Sequence, residues 1–300
     1  MKSLKDLQGV GTAIVTPFDK NKKIDEAALR KLVDFQIKEG IDFLVPCGTT
    51  GESVTLNEDE HLKVVEIVLE QSGGKVPVIA GAGGYNTAHV IDMAKKVSNL
   101  GVDGILSVTP YYNKPTQEGL FQHFKKIAES VTTPIILYNV PGRTSTNLLP
   151  DTVVRLAAID NIAGLKAASG NIGQIGELAV KIPEGFKILS GDDPNTLPII
   201  AFGGAGVISV VSNQAPGLVV KLTHLCLEGE FKQALQIQKK LFTLMKLDFI
   251  ETNPIPVKAG LAMMGLIEEN YRLPLVPMTK ENKEKLRACM KELGLFIYSD

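Results

Sequence analysis

Cysteine is scarce in this 300-residue chain, and its pattern excludes the usual cysteine chemistries. The three present, Cys47, Cys226 and Cys289, are far apart, odd in number and form no CxxC pair. Neither a disulfide framework nor a zinc ribbon is suggested. Long apolar runs are missing too: none reaches the ~18 residues of a membrane span. The opening Met1-Lys-Ser-Leu-Lys-Asp-Leu7 lacks the apolar core of a secretory signal, so the cytoplasm is the expected location. Charge of one sign is absent as well. The 32 basic and 33 acidic residues leave a net charge of −1, with no long basic run and no aromatic-basic interleaving. That balance supplies no drive toward nucleic acid or acidic membranes. Histidine is sparse: His61, His89, His123 and His224 each fall in an expected helix, on its outer surface. Metal catalysis is therefore not expected, and neither is a nucleotide cofactor. Gly81-Ala-Gly83-Gly-Tyr-Asn86 lacks the third glycine of a dinucleotide fingerprint, and Gly203-Gly-Ala-Gly206 precedes a strand instead of following one.

What is present is the composition of a soluble globular protein, 44% apolar and 22% charged. Eight apolar, β-branched segments follow one another: Thr12–Val15, Phe43–Pro46, Val76–Ala80, Gly104–Val108, Pro134–Tyr138, Ile162–Lys166, Phe186–Ser190 and Gly206–Val211. Segments of helical period separate them. Asp25–Glu39 puts Leu29, Leu32, Val33 and Ile37 on one stripe and ends at Gly40. Asn57-Glu-Asp-Glu60 reads as a capping box, Thr87 as the cap of the next helix, and Asp193-Pro194 as an N-cap with a first-turn proline.

Near-continuous apolar strands alternating with helices indicate a parallel sheet covered on both faces. Eight such units in about 220 residues predict a closed (β/α)8 TIM barrel. An open doubly wound sheet is the alternative, but Thr16-Pro17-Phe18 after the first strand is not a phosphate-binding turn. After the eighth strand only helices are expected: Pro216–Glu228, Phe231–Leu247, Val257–Gly265 and Lys280–Leu293, interrupted by Pro254, Pro256, Pro274 and Pro277. The expected organisation is a catalytic barrel over residues 1–224 and a helical C-terminal extension over 225–300.

Barrel enzymes place their chemistry at the C-terminal ends of the strands. Here those ends carry Thr16, Gly48-Thr49-Thr50-Gly51-Glu52, Gly81, Tyr111-Tyr112, Tyr138, Lys166, Gly191-Asp192-Asp193 and Ser209. The set is rich in hydroxyls and has one amine. A lysine closing a buried strand either pairs with a carboxylate or snorkels to the rim, or serves as a nucleophile. An unperturbed lysine is only ~0.04% neutral at pH 7, and a low-dielectric barrel mouth is what lowers its pKa. Imine chemistry also needs a proton shuttle, which tyrosine and threonine hydroxyls provide without adding charge. Gly48-Thr-Thr-Gly51 reads either as a plain turn or as a carboxylate cradle. Tyr111 and Tyr112 read as interface aromatics or site residues. Arg143, directed by Pro141-Gly142, is suited to grip a carboxylate in bidentate fashion. Asp192-Asp193 is a turn followed by a helix cap.

Taken together, Gly48-Thr-Thr-Gly-Glu-Ser53, Pro110-Tyr-Tyr-Asn-Lys-Pro115, Tyr138-Asn-Val-Pro-Gly-Arg-Thr144, Gly164-Leu-Lys166 and Ser190-Gly-Asp-Asp193 resemble the dihydrodipicolinate synthases, also called 4-hydroxy-tetrahydrodipicolinate synthases. These belong to the class I pyruvate aldolase superfamily together with N-acetylneuraminate lyase. The match keeps motif order and spacing over nearly the whole chain.

The resemblance implies that Lys166 forms a Schiff base with pyruvate and that Tyr138 is the general acid/base. It implies Thr50 and Tyr112 as the rest of the proton relay, and Tyr111 as a residue inserted across a tight dimer interface. Thr49, Thr50, Gly191 and the backbone near Ile208 would bind substrate, and Arg143 would receive the carboxylate of aspartate 4-semialdehyde. No cofactor or metal and a homotetramer built as a dimer of dimers are implied, in lysine and diaminopimelate biosynthesis. Sialic acid lyases resemble the chain in the strand-end Lys and Tyr but lack Pro-Gly-Arg-Thr. Cleavage of a sialic acid or a 2-keto-3-deoxy sugar acid is therefore the second-ranked activity, ahead of a non-catalytic pyruvate-binding barrel. Two departures stand out. Ala167 follows the lysine where many members have Glu. Tyr85, His89 and Glu58 stand where lysine-inhibited members carry Asn, Glu and often His, so feedback by L-lysine is expected to be weak or absent.

Overall fold

The computed structural model describes residues 4–296. Eight parallel strands form one sheet: β1 Gly9–Thr12, β2 Phe43–Leu44, β3 Ile79–Gly81, β4 Gly104–Val108, β5 Ile135–Asn139, β6 Ile162–Ala167, β7 Lys187–Ser190 and β8 Gly206–Ser209. Their order is β2-β1-β8-β7-β6-β5-β4-β3, with β1 hydrogen-bonded to β8. A parallel bridge between Leu44 and Val78 joins β2 to the approach of β3 and closes the ring. This is the (β/α)8 barrel expected from the strand count.

The strands are short because a barrel strand needs only enough length to cross the layer before its helix returns. β4 matches the expected segment, and five others match to within a residue or two at their ends. β1 is displaced: it begins at Gly9 and ends at Thr12, where Thr12–Val15 was expected. Ala13, Ile14 and Val15 are buried. The Ala13 and Ile14 N–H groups still donate to the Ser209 and Val45 carbonyls, at 2.9 and 3.2 Å, but the Val15 N–H turns to the Asn213 side chain at 3.2 Å, so the pairing ends before the apolar run does. Thr16 is thus not a strand end; its hydroxyl donates to the Gly51 carbonyl at 2.7 Å and braces the loop after β2.

Two apolar clusters explain the sequence period. The inner one holds Leu7, Ala13, Phe43, Val45, Ile79, Leu106, Ile136, Tyr138, Leu189 and Ile208. The outer one, between strands and helices, holds Ile105, Ile135, Leu137, Leu165, Ala167, Ile188 and Val207. Neighbouring residues on β4, β5, β7 and β8 divide between the two, as strand alternation requires. Gly11 leaves room for this filling: a Cβ there would lie 2.0 Å from the Phe43 ring.

Of the caps read from the sequence, the Asn57 capping box is present, whereas Thr87 and Asp193 do not cap. Asp25 caps Glu26–Lys38, and Asn57 with Glu60 forms the full capping box of Glu58–Ser72. The helix Thr87–Asn99 is capped by Asn86, not by Thr87, whose hydroxyl meets His123 Nδ1 at 2.9 Å. After β8 come the helices Pro216–Leu227, Phe231–Leu247, Ile255–Met263 and Lys280–Glu292. The expected domain boundary at 224/225 falls inside the first of these. Pro256 does not interrupt the third helix; it sits in the first turn, where its missing N–H costs nothing. Among the described residues no helix is long and apolar enough to cross a membrane.

Candidate active site

Lys166 and Tyr138 are partners across the β5–β6 register, so both side chains leave the sheet on the same face. The flanking Leu165 and Ala167 pack in the outer cluster, and the lysine therefore points inward. Its Nζ lies 4.3 Å from the centroid of the Tyr138 ring. Lys166 is only 5% exposed. Burial pulls its pKa down from 10.5 to about 7; Asp193 opposes that shift and the Arg143 charge adds to it. A large fraction of the amine is thereby neutral near pH 7.

Gly191 supplies the space for the lysine stem. A Cβ at this position would stand 2.9 Å from Lys166 Cγ and 3.1 Å from Cε. Burial raises the Tyr138 phenol above the ordinary tyrosine range, while Arg143 and a hydrogen bond with Thr49 pull the other way. A phenol kept protonated beside a neutral amine can give a proton and take it back.

Arg143 sits in the short helix Pro141–Thr144 that follows β5; Pro141 and Gly142 form its first residues and not a separate turn. Arg143, Tyr138 and Thr49 line one cavity of ≈ 1000 Å³. Thr50 lies behind this wall and is buried; its hydroxyl accepts from Asn253 Nδ2 at 3.0 Å. Ile208 lies in β8, paired with Gly11 and packed with Tyr138 in the inner cluster.

The paired tyrosines part company. Tyr111 lines the cavity of its own chain and meets Tyr85 edge-to-face at 5.2 Å between centroids. Tyr112 has a left-handed backbone (φ 69°) and is 93% exposed. Within one chain, the tyrosine turned outward is Tyr112 and the one turned inward is Tyr111.

Several residues at the site escaped sequence reasoning. Asp193 is not a helix cap. It is buried, accepts from Ser209 Oγ at 2.5 Å and from the Val210 N–H at 3.0 Å, and places a carboxylate where Lys166 feels it. Glu52 ends the Thr-Thr loop in a left-handed conformation and pairs with Lys258 from the helix Ile255–Met263. Asn253 reaches Thr50 from just before that helix. The only available signal was the run Asn253-Pro-Ile-Pro-Val-Lys258, which reads as helix breakage and carries no hint of what it approaches.

Two histidines expected on the surface are buried. His61 Nε2 lies 2.8 Å from the Gly81 carbonyl, and His123 is held neutral by burial, with its pKa down to about 4. Each lies on the inward stripe of its helix; His61 there lines the same cavity, and His123 packs beside Phe124. Among the described residues no group of three or more His, Cys, Asp or Glu is arranged to hold a metal ion.

Fold and site together define a (β/α)8 barrel enzyme with a desolvated strand-end lysine and a hydroxyl-rich mouth. The Dihydrodipicolinate synthetase family profile matches residues 6–293. The chain belongs to this family and is an enzyme of it, a lyase. It is 52% identical over 290 residues to the 4-hydroxy-tetrahydrodipicolinate synthase of Koribacter versatilis, covering 96% of this chain and 97% of the relative. To that of Chlorobium phaeobacteroides it is 51% identical over 294 residues, covering 98% and 99%. Among solved structures, the dihydrodipicolinate synthase of Aquifex aeolicus superposes with a TM-score of 0.95 at 44% identity, covering 98% of this chain and 100% of that one. A dihydrodipicolinate synthase variant described as monomeric also reaches 0.95, at 47% identity, covering 97% and 98%.

Proposed function

We propose that this enzyme condenses pyruvate with L-aspartate 4-semialdehyde through an imine on Lys166, within lysine and diaminopimelate biosynthesis. The observation that carries the reading is the Lys166–Tyr138 pair: a buried amine 4.3 Å from the ring of a buried phenol, on adjacent strands. The names of the relatives support the choice of substrates.

The chemistry follows from the neighbours. Neutral Lys166 adds to the keto carbon of pyruvate, and loss of water gives the imine. Tyr138 carries the protons of both steps, with Thr50 as the next hydroxyl in the relay. Removal of a methyl proton gives an enamine, whose carbon attacks the aldehyde. Closure by the semialdehyde's own amine at the imine carbon releases Lys166. Thr49, Gly191 and the Ile208 backbone suit the pyruvate end, and Arg143 the carboxylate of the second substrate. That arginine favours the semialdehyde over a sialic or 2-keto-3-deoxy sugar acid.

The exposure of Tyr112 supports its serving a relay in a neighbouring copy, with Tyr111 lining its own cavity. An assembly of tight dimers, and a homotetramer beyond it, fits that arrangement.

Pyruvate with borohydride should add one covalent adduct at Lys166, and Lys166→Ala should abolish it. Absence of the adduct from the unmodified enzyme sinks the imine mechanism. A coupled assay with the semialdehyde against sialic acid then separates the two lyase activities.

A further inference from the structure

The helical extension touches the catalytic loops at one residue in two ways. Asn253 stands at the turn before the helix Ile255–Met263 and is buried. Its side-chain Nδ2 donates to Thr50 Oγ1 at 3.0 Å. Its backbone carbonyl accepts from Arg143 Nη2 at 3.3 Å. The far end of the amide, Oδ1, has no hydrogen-bond partner among the described residues, so the side chain's one protein bond is to the threonine. Close by, the helix is anchored to the same loop through Lys258 and Glu52.

The geometry points to Asn253 as a positioning residue: its amide holds the Thr50 hydroxyl for the proton relay, while its backbone steadies the arginine that faces the second substrate. This rests on the function proposed above and deepens it. A hydroxyl that accepts a hydrogen bond keeps its own hydrogen to give. Thr50 is thus left with a single proton to direct onward. Thr50 does not line the cavity, so it cannot rely on substrate to orient it. Arg143, by contrast, is held through a main-chain oxygen that any residue at 253 would offer.

The two contacts therefore make separable predictions. Asn253→Ala removes the bond to Thr50 and leaves the carbonyl that Arg143 uses. At saturating pyruvate, kcat should fall about tenfold, the value of one neutral hydrogen bond. The KM for aspartate semialdehyde should stay within about twofold, because Arg143 keeps its partner. The loss should also be absent in a Thr50→Val background, since the two residues act as one unit. A residue that only stiffens the fold would instead raise KM in parallel and add its loss in full to that of Thr50→Val. Either result overturns the assignment. If Asn253→Ala does not yield folded protein, Asn253→Ser enters the same cycle with the same criteria. Borohydride trapping on each variant keeps the two readings apart. An adduct in the unmodified enzyme and in Asn253→Ala leaves the imine mechanism standing whatever the cycle shows.

Discussion

Lys258 Nζ and Glu52 Oε1 lie 2.5 Å apart, with 0% and 1% of their side chains exposed. The ammonium also sits 4.4 Å from the centroid of the Phe18 ring. Burial lowers the lysine pKa, and Glu52 opposes that shift. The pair fastens the helix Ile255–Met263 to the loop that carries Thr49 and Thr50. Breaking one partner leaves an uncompensated buried charge. Lys258→Met is expected to cost about 3–5 kcal/mol, and the double variant with Glu52→Gln to recover most of it. Urea denaturation of the single and double variants measures this. A cost below about 1 kcal/mol for the single change would show that the pair does not hold the loop.

The lowered pKa of Lys166 sets a pH dependence. The amine is the reactive form, so the rate of pyruvate trapping should rise through about pH 7 and level off above it. Stability follows the same proton. Between about 7 and 10.5 the unfolded chain holds this proton and the folded chain does not. The Lys166 contribution to stability therefore rises with pH across that window. A trapping profile that climbs only near pH 10 would mean that burial does not activate the amine.

Arg143 is exposed on the cavity wall, and its guanidinium donates to the Asn253 carbonyl at 3.3 Å. Arg143→Ala should raise the KM for aspartate semialdehyde at least tenfold, the order of one charge-assisted hydrogen bond. Pyruvate trapping should persist, although somewhat slower at neutral pH, because the arginine charge helps to lower the Lys166 pKa. Steady-state kinetics with each substrate varied in turn separate these effects. An unchanged semialdehyde KM would remove Arg143 from the second-substrate site.

Tyr85, His89 and Glu58 line the outer part of the cavity whose inner wall holds Tyr138 and Arg143. With His89 on this wall, that position offers no carboxylate to an α-ammonium group, and the Glu58 carboxylate is taken by Lys96 at 2.6 Å. L-Lysine at millimolar concentration should leave the initial rate unchanged. Inhibition in the micromolar range, read in the same coupled assay, would contradict this.

Architecture was legible because it is a repeated local pattern. Each strand is an apolar run and each helix a 3.6-residue stripe, so eight alternations sufficed without any knowledge of contacts. Where local patterns compete, the reading slipped. Val15 is as apolar as β1 itself, yet its N–H donates to the Asn213 side chain and not to a neighbouring strand. Asn86 outcompetes Thr87 for the helix end because Thr87 is taken by His123, a partner 36 positions away. His61 and His123 were read as surface residues because a polar side chain on an inward stripe gives no sign of the core partner that satisfies it.

The sequence by itself determined the parallel barrel and the strand-end location of Lys166 and Tyr138. These depend on neighbours in the chain and on the rule that barrel strands present their C-terminal ends together. Only the tertiary structure decided what acts on them. Asp193 reaches toward the lysine, Glu52 finds Lys258 across 206 positions, and Asn253 finds Thr50 across 203. It also turned Tyr112 outward, in a left-handed backbone conformation, and Tyr111 inward. Such contacts join parts of the chain whose separation leaves no periodic trace, and their energies exist only after the barrel has closed and removed the charges from water.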